Sequence, residues 1–218
     1  MKKLKKPLIY LLGLSFLGLS VSLFNQSNLG MGSWDALNRN FHEGLLIPYR
    51  YLTPIVALVL VGVAYLLEKK KPDIWMLFPL VLSAYIGLVI DVLILVIPLV
   101  SEMALIYNIL YVAMALIFIA IGLNLIVLCN YPLPALDQFC LAISHKFNIS
   151  FGKGKLLGEV IALLLTVIVG LAFSHEEFWF YLGYNTIIMI LFVGALVDLF
   201  AKPIKKLLGD MNDNRDIR

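Results

Sequence analysis

Apolar residues form six long runs along this chain, and short polar stretches separate the runs. The runs cover about 8–27, 51–67, 74–98, 104–128, 155–173 and 179–201. About 20 apolar residues in a helix cross the hydrocarbon core of a bilayer, so runs of this length predict transmembrane helices. Strands of a β-barrel would alternate apolar and polar residues, and these runs do not alternate. The pattern predicts an all-α polytopic membrane bundle of about six helices, with residues 1–208 as one membrane domain and 209–218 as a polar tail.

Two shorter segments have the spacing of amphipathic helices and lie outside the six runs. The apolar positions of the first, about 33–45, are Trp34, Leu37, Phe41 and Leu45. Those of the second, about 133–147, are Phe139, Ile143 and Phe147. Each segment follows an irregular stretch that contains glycine or proline. Such helices lie on the membrane surface or enter the membrane as re-entrant helices, and the spacing allows both arrangements.

The two halves of the chain repeat the same order of elements, with aspartates at corresponding positions. An offset of 102 residues places Asp137 on Asp35, and an offset of 107 places Asp198 on Asp91. The repeats cover about 8–98 and 104–201. Each repeat has three spans, so the second half would enter the membrane from the opposite side. The chain is therefore predicted to contain two inverted three-helix repeats, an architecture found in many secondary transporters.

Composition and charge agree with a membrane protein. Of the 218 residues, 61% are hydrophobic and 14% are charged, whereas soluble domains are nearer one half and one quarter. The net charge of +3 is not typical of nucleic-acid binding.

Lysine clusters fall on one side of a six-span topology, so the positive-inside rule predicts that both termini are cytoplasmic. These clusters are the N-terminal lysines, Lys69–Lys71, Lys146 with Lys153 and Lys155, and Lys202 with Lys205 and Lys206.

Known catalytic and metal-binding patterns do not occur in the sequence. The three histidines lack ligand spacing, and the cysteines Cys129 and Cys140 match no metal motif. No serine or cysteine has a base that the sequence identifies. We therefore expect no enzyme activity, no catalytic residue, no metal site and no cofactor.

Asp91 is the strongest candidate for a functional residue. A charged side chain inside a span costs at least a few kcal/mol, so we expect Asp91 to face the bundle interior, either paired or protonated. Gly87 lies one turn earlier and would allow another helix to approach. The functional interpretation is a proton, cation or substrate site, and the structural one is a buried hydrogen bond between helices.

The stretch around Asp35 has two interpretations. In the first, Ser33 caps an interfacial helix, the helix dipole favours Asp35 in its first turn, and Trp34 anchors at the interface. In the second, a re-entrant helix begins at membrane depth, and Gly30 and Gly32 expose backbone groups to a solute. Pro132 and Pro134 would then have the corresponding role in the second half.

Three further polar residues lie within spans, each with two interpretations. Asp198 could form an exposed i,i+4 pair with Lys202 or belong to the inner pathway. Glu159 could be interfacial, bonded to loop backbone, or could line a cytoplasmic vestibule. Asn124 could bridge two helices or face a cavity.

The stretch from Asn28 to Asn38, with Gly30-Met31-Gly32-Ser33-Trp34-Asp35 at its centre, resembles the YczE-type membrane proteins of the YczE/YyaS/YitT group. In that family the first span ends in a Leu-Gly-x-Gly-x-Trp-Asp-x-Leu stretch. Here Ser33 replaces the proline or other small residue that often precedes the Trp, and the second half lacks the Trp and both glycines. The resemblance implies a protein of the bacterial cytoplasmic membrane and does not imply a known substrate.

These features together predict a small-solute transporter or permease-like protein. Asp91 would contact the solute or titrate, with Asp35 and the Gly30–Gly32 backbone in the outer pathway and Asp137 and Asp198 in the inner one. The alternative is a substrate-capture, accessory or regulatory membrane subunit that works with a partner. The expected partners are the lipid bilayer, an unknown small solute, and a protein partner or a second copy of the chain, but no nucleic acid.

Overall fold

The computed structural model describes residues 2–27, 29–30, 32–47, 49–71, 73–100, 103–173 and 181–209. The helices in this part of the chain are α1 (Lys2–Ser27), α2 (Ser33–Leu45), α3 (Tyr49–Leu67), α4 (Phe78–Val96), α5 (Leu105–Leu128), α6 (Ala135–Phe147), α7 (Phe151–Ala172), α8 (Tyr184–Ile188) and α9 (Gly194–Leu208). A 3-10 turn, Ile74–Leu77, precedes α4, and a π-helical turn, Met189–Val193, joins α8 to α9. Residues 210–218 of the predicted polar tail and residues 174–180 lie outside the described residues.

Five helical segments of the described chain are long and apolar enough to cross a membrane. They are Lys5–Ser27, Ile74–Val96, Leu105–Leu128, Phe151–Ala172 and Tyr184–Leu208. The predicted span at 51–67 is also a helix, Tyr51–Leu67, but it is shorter than the other five. The prediction of a helical bundle is therefore confirmed for the described residues, and five of its segments have the length and apolar composition of membrane spans.

Helices α1 and α5 form an antiparallel pair at the centre of the bundle. Gly13 and Gly122 lie where the two backbones approach most closely, since a Cβ added at Gly122 would be 2.8 Å from the carbonyl oxygen of Gly13. The Phe16 and Phe118 rings are in contact nearby, with centroids 5.2 Å apart. Small residues at a crossing allow the close packing that holds helices together in lipid, where the hydrophobic effect between helices is weak.

The remaining long helices pack around this central pair. Helix α4 lies against α1, where Val89 faces Gly18, and α9 lies against α5. Helix α2 packs mainly on α7, whereas α6 packs on both α3 and α7. Each amphipathic helix therefore lies against the other half of the chain.

Replacing Gly122 by valine should destabilise the bundle by about 1–3 kcal/mol, because the new side chain would overlap the Gly13 backbone. Gly87→Val is the matched control, since a Cβ at Gly87 meets nothing within 4 Å. Thermal unfolding of the two purified variants in the same detergent measures the difference. Equal melting temperatures would show that the α1–α5 crossing is not a stabilising contact.

Candidate functional site

One face of α7 carries small residues at helical spacing, and both amphipathic helices pack against it. Gly154, Gly158, Ala162 and Thr166 recur every four residues and are buried. A Cβ added at Gly154 would be 2.5 Å from the carbonyl oxygen of Cys140 in α6. The absence of larger side chains on this face therefore allows the backbone of α6 to lie directly on α7.

Helix α2 begins beside the middle of α7 and runs towards its carboxyl end. The Thr166 hydroxyl donates a hydrogen bond to the carbonyl oxygen of Ser33 at 3.0 Å. Two turns later the Asn40 side-chain amide donates to the carbonyl oxygen of Thr166 at 2.8 Å. At the far end of α2, Gly44 touches the ring of Phe173. The amino end of α2 therefore lies at the depth of the centre of a membrane-length helix.

Helix α6 also begins beside α7, but it runs towards the amino end of α7. Near its start, Asp137 pairs with Lys155, and Cys140 touches Gly158. Further along, the Ser144 side chain approaches Gly154. The two amphipathic helices therefore start near each other and point their amino ends towards the same part of α7.

A cluster of four charged residues lies where these helices meet. The Lys155 ammonium is 2.7 Å from Asp137 Oδ1 and 3.5 Å from Glu159 Oε1. The side chains of Lys155, Asp137 and Glu159 are only 3%, 9% and 1% exposed. Asp35 of α2 interacts electrostatically with Lys155 and Glu159. We call Asp35, Asp137, Lys155 and Glu159 the charged cluster; it contains three carboxyl groups and one ammonium.

Several polar atoms at the charged cluster make no hydrogen bond with the described residues. They are both carboxylate oxygens of Glu159, the Ser33 hydroxyl and the Trp34 indole nitrogen, and all are buried. The Ser33 side chain faces the Glu159 carboxyl group. Buried polar groups in proteins are nearly always hydrogen-bonded, so the polar atoms of this cluster are less completely paired than is usual.

Asp35 is the exposed member of the charged cluster. Its side chain is exposed, although many protein atoms lie around its carboxyl group. This desolvation raises the pKa of Asp35, and the charge of Lys155 opposes the rise. Gly32 and Met189 lie beside the carboxyl group, since a Cβ added at Gly32 would be 3.4 Å from Asp35 Oδ2 and 3.7 Å from the Met189 methyl carbon. Asp35 is therefore the member of the charged cluster that a solute could reach.

Asp91 is not part of this cluster, and the expectation that it faces the bundle interior is wrong. Asp91 is exposed, and it makes no hydrogen bond or ion pair with a described residue. Helix α4 packs on α1 through the side that carries Val89. Position 91 lies about 200° around the helix from position 89, and therefore on the opposite side. Gly87 is on the open side as well, and no atom of another helix lies within 4 Å of the place where its Cβ would be.

Asp198 has a structural role at the start of α7. Its carboxylate accepts hydrogen bonds from the backbone amide of Gly152 at 3.0 Å and from the Ser150 hydroxyl. Ser150 is itself the N-cap of α7. Gly194, one turn before Asp198, lies against the backbone of Gly152. The Gly-x-x-x-Asp pattern of the last span therefore joins α9 to the amino end of α7, and the carboxylate does not depend on Lys202.

The glycine-rich stretch before α2 allows its backbone to lie against the backbone that precedes α8. Gly30 has a φ of +98° and lies directly against Gly183, so a side chain at either position would overlap the other residue. The amide of Asn185 donates to the carbonyl oxygen of Leu29 at 3.0 Å across the same contact. Gly30 therefore fixes the crossing of this stretch with the start of α8.

Four other expectations differ from the structure. Gly32, not Ser33, occupies the N-cap of α2, with its carbonyl oxygen accepting from the Ala36 amide at 2.9 Å. Trp34 is buried against Phe139, with ring centroids 6.0 Å apart, and is not an interfacial anchor. Glu159 is buried and neither bonds to loop backbone nor faces a surface vestibule. Lys155, which we expected among the cytoplasmic loop charges, is buried in the charged cluster.

Asn124 bridges two helices. Its side-chain amide donates to the carbonyl oxygen of Val197 in α9 at 2.8 Å and to that of Ala120 in its own helix at 2.9 Å. This contact fixes α9 on α5 and places Asn124 away from the charged cluster. Among the residues of the described chain, no group of three or more His, Cys, Asp or Glu side chains could hold a metal ion.

Comparison with protein-family models gives a match over most of the chain. The model of a protein family of unknown function, DUF6198, matches residues 4–202 of the chain. No curated protein matches, and no solved structure matches. The match covers both amphipathic helices and all four residues of the charged cluster.

Replacing Lys155 by methionine should destabilise the protein by about 3–5 kcal/mol, because it leaves buried carboxylates without their counter-charge. Combining Lys155→Met with Asp137→Asn should recover a large part of this loss, since the acid that pairs most closely with Lys155 is then neutral. Thermal unfolding in detergent measures both variants. A single variant as stable as the wild type would mean that the ion pair is not needed for folding.

Asp198→Ala should lower the free energy of unfolding by about 1 kcal/mol, the usual cost of losing a helix cap. Asp91→Ala is the control at the corresponding position of the first half, and it should cost nothing because no described residue contacts that carboxylate. Thermal unfolding and amide hydrogen exchange at the start of α7 distinguish the two variants. Equal effects would contradict the capping role of Asp198.

Proposed function

We propose that this chain, which belongs to the DUF6198 family of unknown function, is a small-solute transporter of the cytoplasmic membrane. The proposal rests on the charged cluster. The main observation behind this proposal is the position of the charged cluster. It lies well away from the ends of a membrane-length helix, at the place where two short helices begin. Glu159 is eight residues after Phe151, which places it about 12 Å along a helix of about 33 Å. Charged groups at such a depth are costly and typically mark solute or ion pathways.

The two short helices act as discontinuous helices in this proposal. Their amino ends carry partial positive charge, and each has an aspartate in its first turn, Asp35 in α2 and Asp137 in α6. Transporters commonly bind solutes near the bilayer midplane between such half-helices, because free backbone groups at helix ends can contact the solute. In this arrangement α2 and α6 are re-entrant helices, and Asp35 is the residue that meets the solute first.

The contacts of the bundle support an inverted repeat of six spans, with α3 as a short one. Helix α2 packs on α7, and its counterpart α6 packs on α3. Helix α4 lies against α1, and its counterpart α9 lies against α5. Phe16 and Phe118, which correspond at the offset of 102 residues, touch each other and would lie near the symmetry axis. We propose that the halves are inverted repeats and that both termini are cytoplasmic, as the lysine distribution predicts.

The two halves differ in how tightly their short helices pack. An apolar cleft of about 320 Å³ separates α2 from α3, and Trp34, Leu37, Leu52 and Leu60 are among the residues that line it. The corresponding pair, α6 and α7, is in direct contact through Cys140 and Gly158. Alternating access requires such an asymmetry, with the bundle open on one side of the site and closed on the other.

A thermal-shift screen of the purified protein against metabolites and inorganic ions tests this proposal. A solute that binds the native state raises the melting temperature. At 100 times its dissociation constant, the solute increases the free energy of unfolding by about 2.7 kcal/mol. We expect at least one compound to stabilise the wild type and Asp91→Asn but not Asp35→Asn. The same compound should enter proteoliposomes that contain only this chain. Binding that is unaffected by Asp35→Asn would contradict a pathway through the charged cluster.

The second candidate function is that of a substrate-capture or accessory subunit, and the position of Asp91 favours it. A carboxylate on the outer surface of a spanning helix is costly in lipid, and contact with a protein partner would remove that cost. Only Pro79 and Leu82 of α4 are buried in this chain. In the screen above, binding that depends on Asp35 without uptake by the purified chain would favour this second function.

A further inference from the structure

We propose that Glu159 is a proton-binding site, and that its protonation state is coupled to occupancy of the charged cluster. The role in coupling rests on the transport function proposed above, whereas proton binding itself does not. The proposal follows from three features of Glu159: its place in the charge balance of the cluster, its burial against the neutral Ser33 hydroxyl, and its interaction with the exposed Asp35.

The charge balance of the cluster leaves Glu159 without a full counter-ion. Lys155 is committed to Asp137, because their 2.7 Å separation is a charge-assisted hydrogen bond. Glu159 is farther from the same ammonium, at 3.5 Å, and has no hydrogen bond to it. The other titratable groups that face Glu159 are Asp35 from α2 and Asp137 and Cys140 from α6. Burial raises the pKa of the Cys140 thiol to about 12, so this group stays neutral.

One proton would remove the uncompensated charge of Glu159. An ionised Glu159 can only accept hydrogen bonds, and the Ser33 hydroxyl that faces it is a neutral donor that supplies no counter-charge. When the carboxylate binds a proton, it becomes a carboxylic acid with one O–H donor, and the carbon and oxygen atoms keep their bonds. The Ser33 hydroxyl oxygen faces it, lacks a partner and can accept this bond. Protonation therefore removes an uncompensated charge, and the Ser33 hydroxyl can pair with the carboxyl group in either state.

The surroundings of Glu159 fit a proton better than a metal cation. A bound Ca²⁺ or Mg²⁺ ion needs about six oxygen ligands. The described residues contain no group of three or more acidic, histidine or cysteine side chains that could hold a metal ion. A proton needs one acceptor and one hydrogen-bond partner, which Glu159 and Ser33 provide.

Asp35 gives the proton a route to Glu159. Asp35 is exposed, whereas Glu159 is buried. Both carboxyl groups interact with each other and with Lys155. A proton from water can therefore reach Asp35 first and pass to Glu159, and a cationic group of a solute beside Asp35 would favour its release.

Infrared difference spectroscopy of the purified protein, between about pH 5 and pH 9, tests proton binding without any solute. We expect a carboxylic-acid carbonyl band that appears on acidification in the wild type and is lost in Glu159→Gln. In Asp137→Asn, Lys155 is free to pair with Glu159, so the band at neutral pH should also be lost. Asp91→Asn is the control that should retain the full band.

Ser33→Ala keeps the test decisive if Glu159→Gln does not fold. Loss of the hydroxyl removes the hydrogen-bond acceptor of the protonated acid, and the carbonyl band should move to higher frequency. A band that persists in Glu159→Gln, or one that does not move in Ser33→Ala, would overturn the proposal. These measurements are independent of uptake, so failure of the transport assay alone would overturn the transport function and leave the proton site standing.

Discussion

The ion pair between Lys155 and Asp137 constrains the arrangement of the bundle more than any other contact. An ammonium inside a membrane-length helix must have a counter-charge within hydrogen-bond distance, because a buried charge without a partner costs several kcal/mol. Asp137 can supply it at 2.7 Å only if α6 lies directly on α7. The glycines at 154 and 158 make that approach sterically possible. Charge and packing therefore require the same geometry.

The same face of α7 also positions the other half of the chain. Thr166 holds the amino end of α2 through the Ser33 carbonyl group, and Asn40 repeats the contact two turns later. These bonds bring Asp35 into the charged cluster, where it interacts with Lys155 and Glu159. The amino ends of two helices then add partial positive charge near three carboxyl groups that share one lysine. The electrostatics of the site thus depend on helix ends as much as on side chains.

Much of this architecture could be predicted from sequence, because apolar run length and amphipathic spacing are strong patterns. They predict the helical segments, including α2 and α6. The offset of 102 residues pairs Asp35 with Asp137, and both aspartates belong to the charged cluster of the structure. The inward faces could not be predicted, because a spanning helix is apolar on all sides. Asp91 therefore resembled an interior residue although it is exposed.

Lys155 was missed for a different reason. A lysine near the end of a span normally extends to the membrane surface, and the Gly-Lys-Gly-Lys stretch has the composition of a charged loop. The available clue was the spacing of Lys155 and Glu159, four residues apart on one helix face. That spacing alone is typical of an exposed pair, and only the contact with Asp137 shows that the lysine is buried.

The contacts at α7 differ in strength, and this difference limits which parts of the bundle can move. The cap that Asp198 provides is worth about 1 kcal/mol, a free energy that a modest conformational preference can overcome. Breaking the Lys155–Asp137 pair would cost several times more. A conformational change of the bundle would therefore keep α6 and α7 together and would separate α9 from the start of α7. Asp91, at the corresponding position of the first half, already has no contact of this kind. The two Gly-x-x-x-Asp patterns therefore differ in their contacts: Asp198 of α9 is bonded to the start of α7, whereas Asp91 of α4 makes no hydrogen bond or ion pair with a described residue, so α9 is held at this position by a bond that α4 lacks.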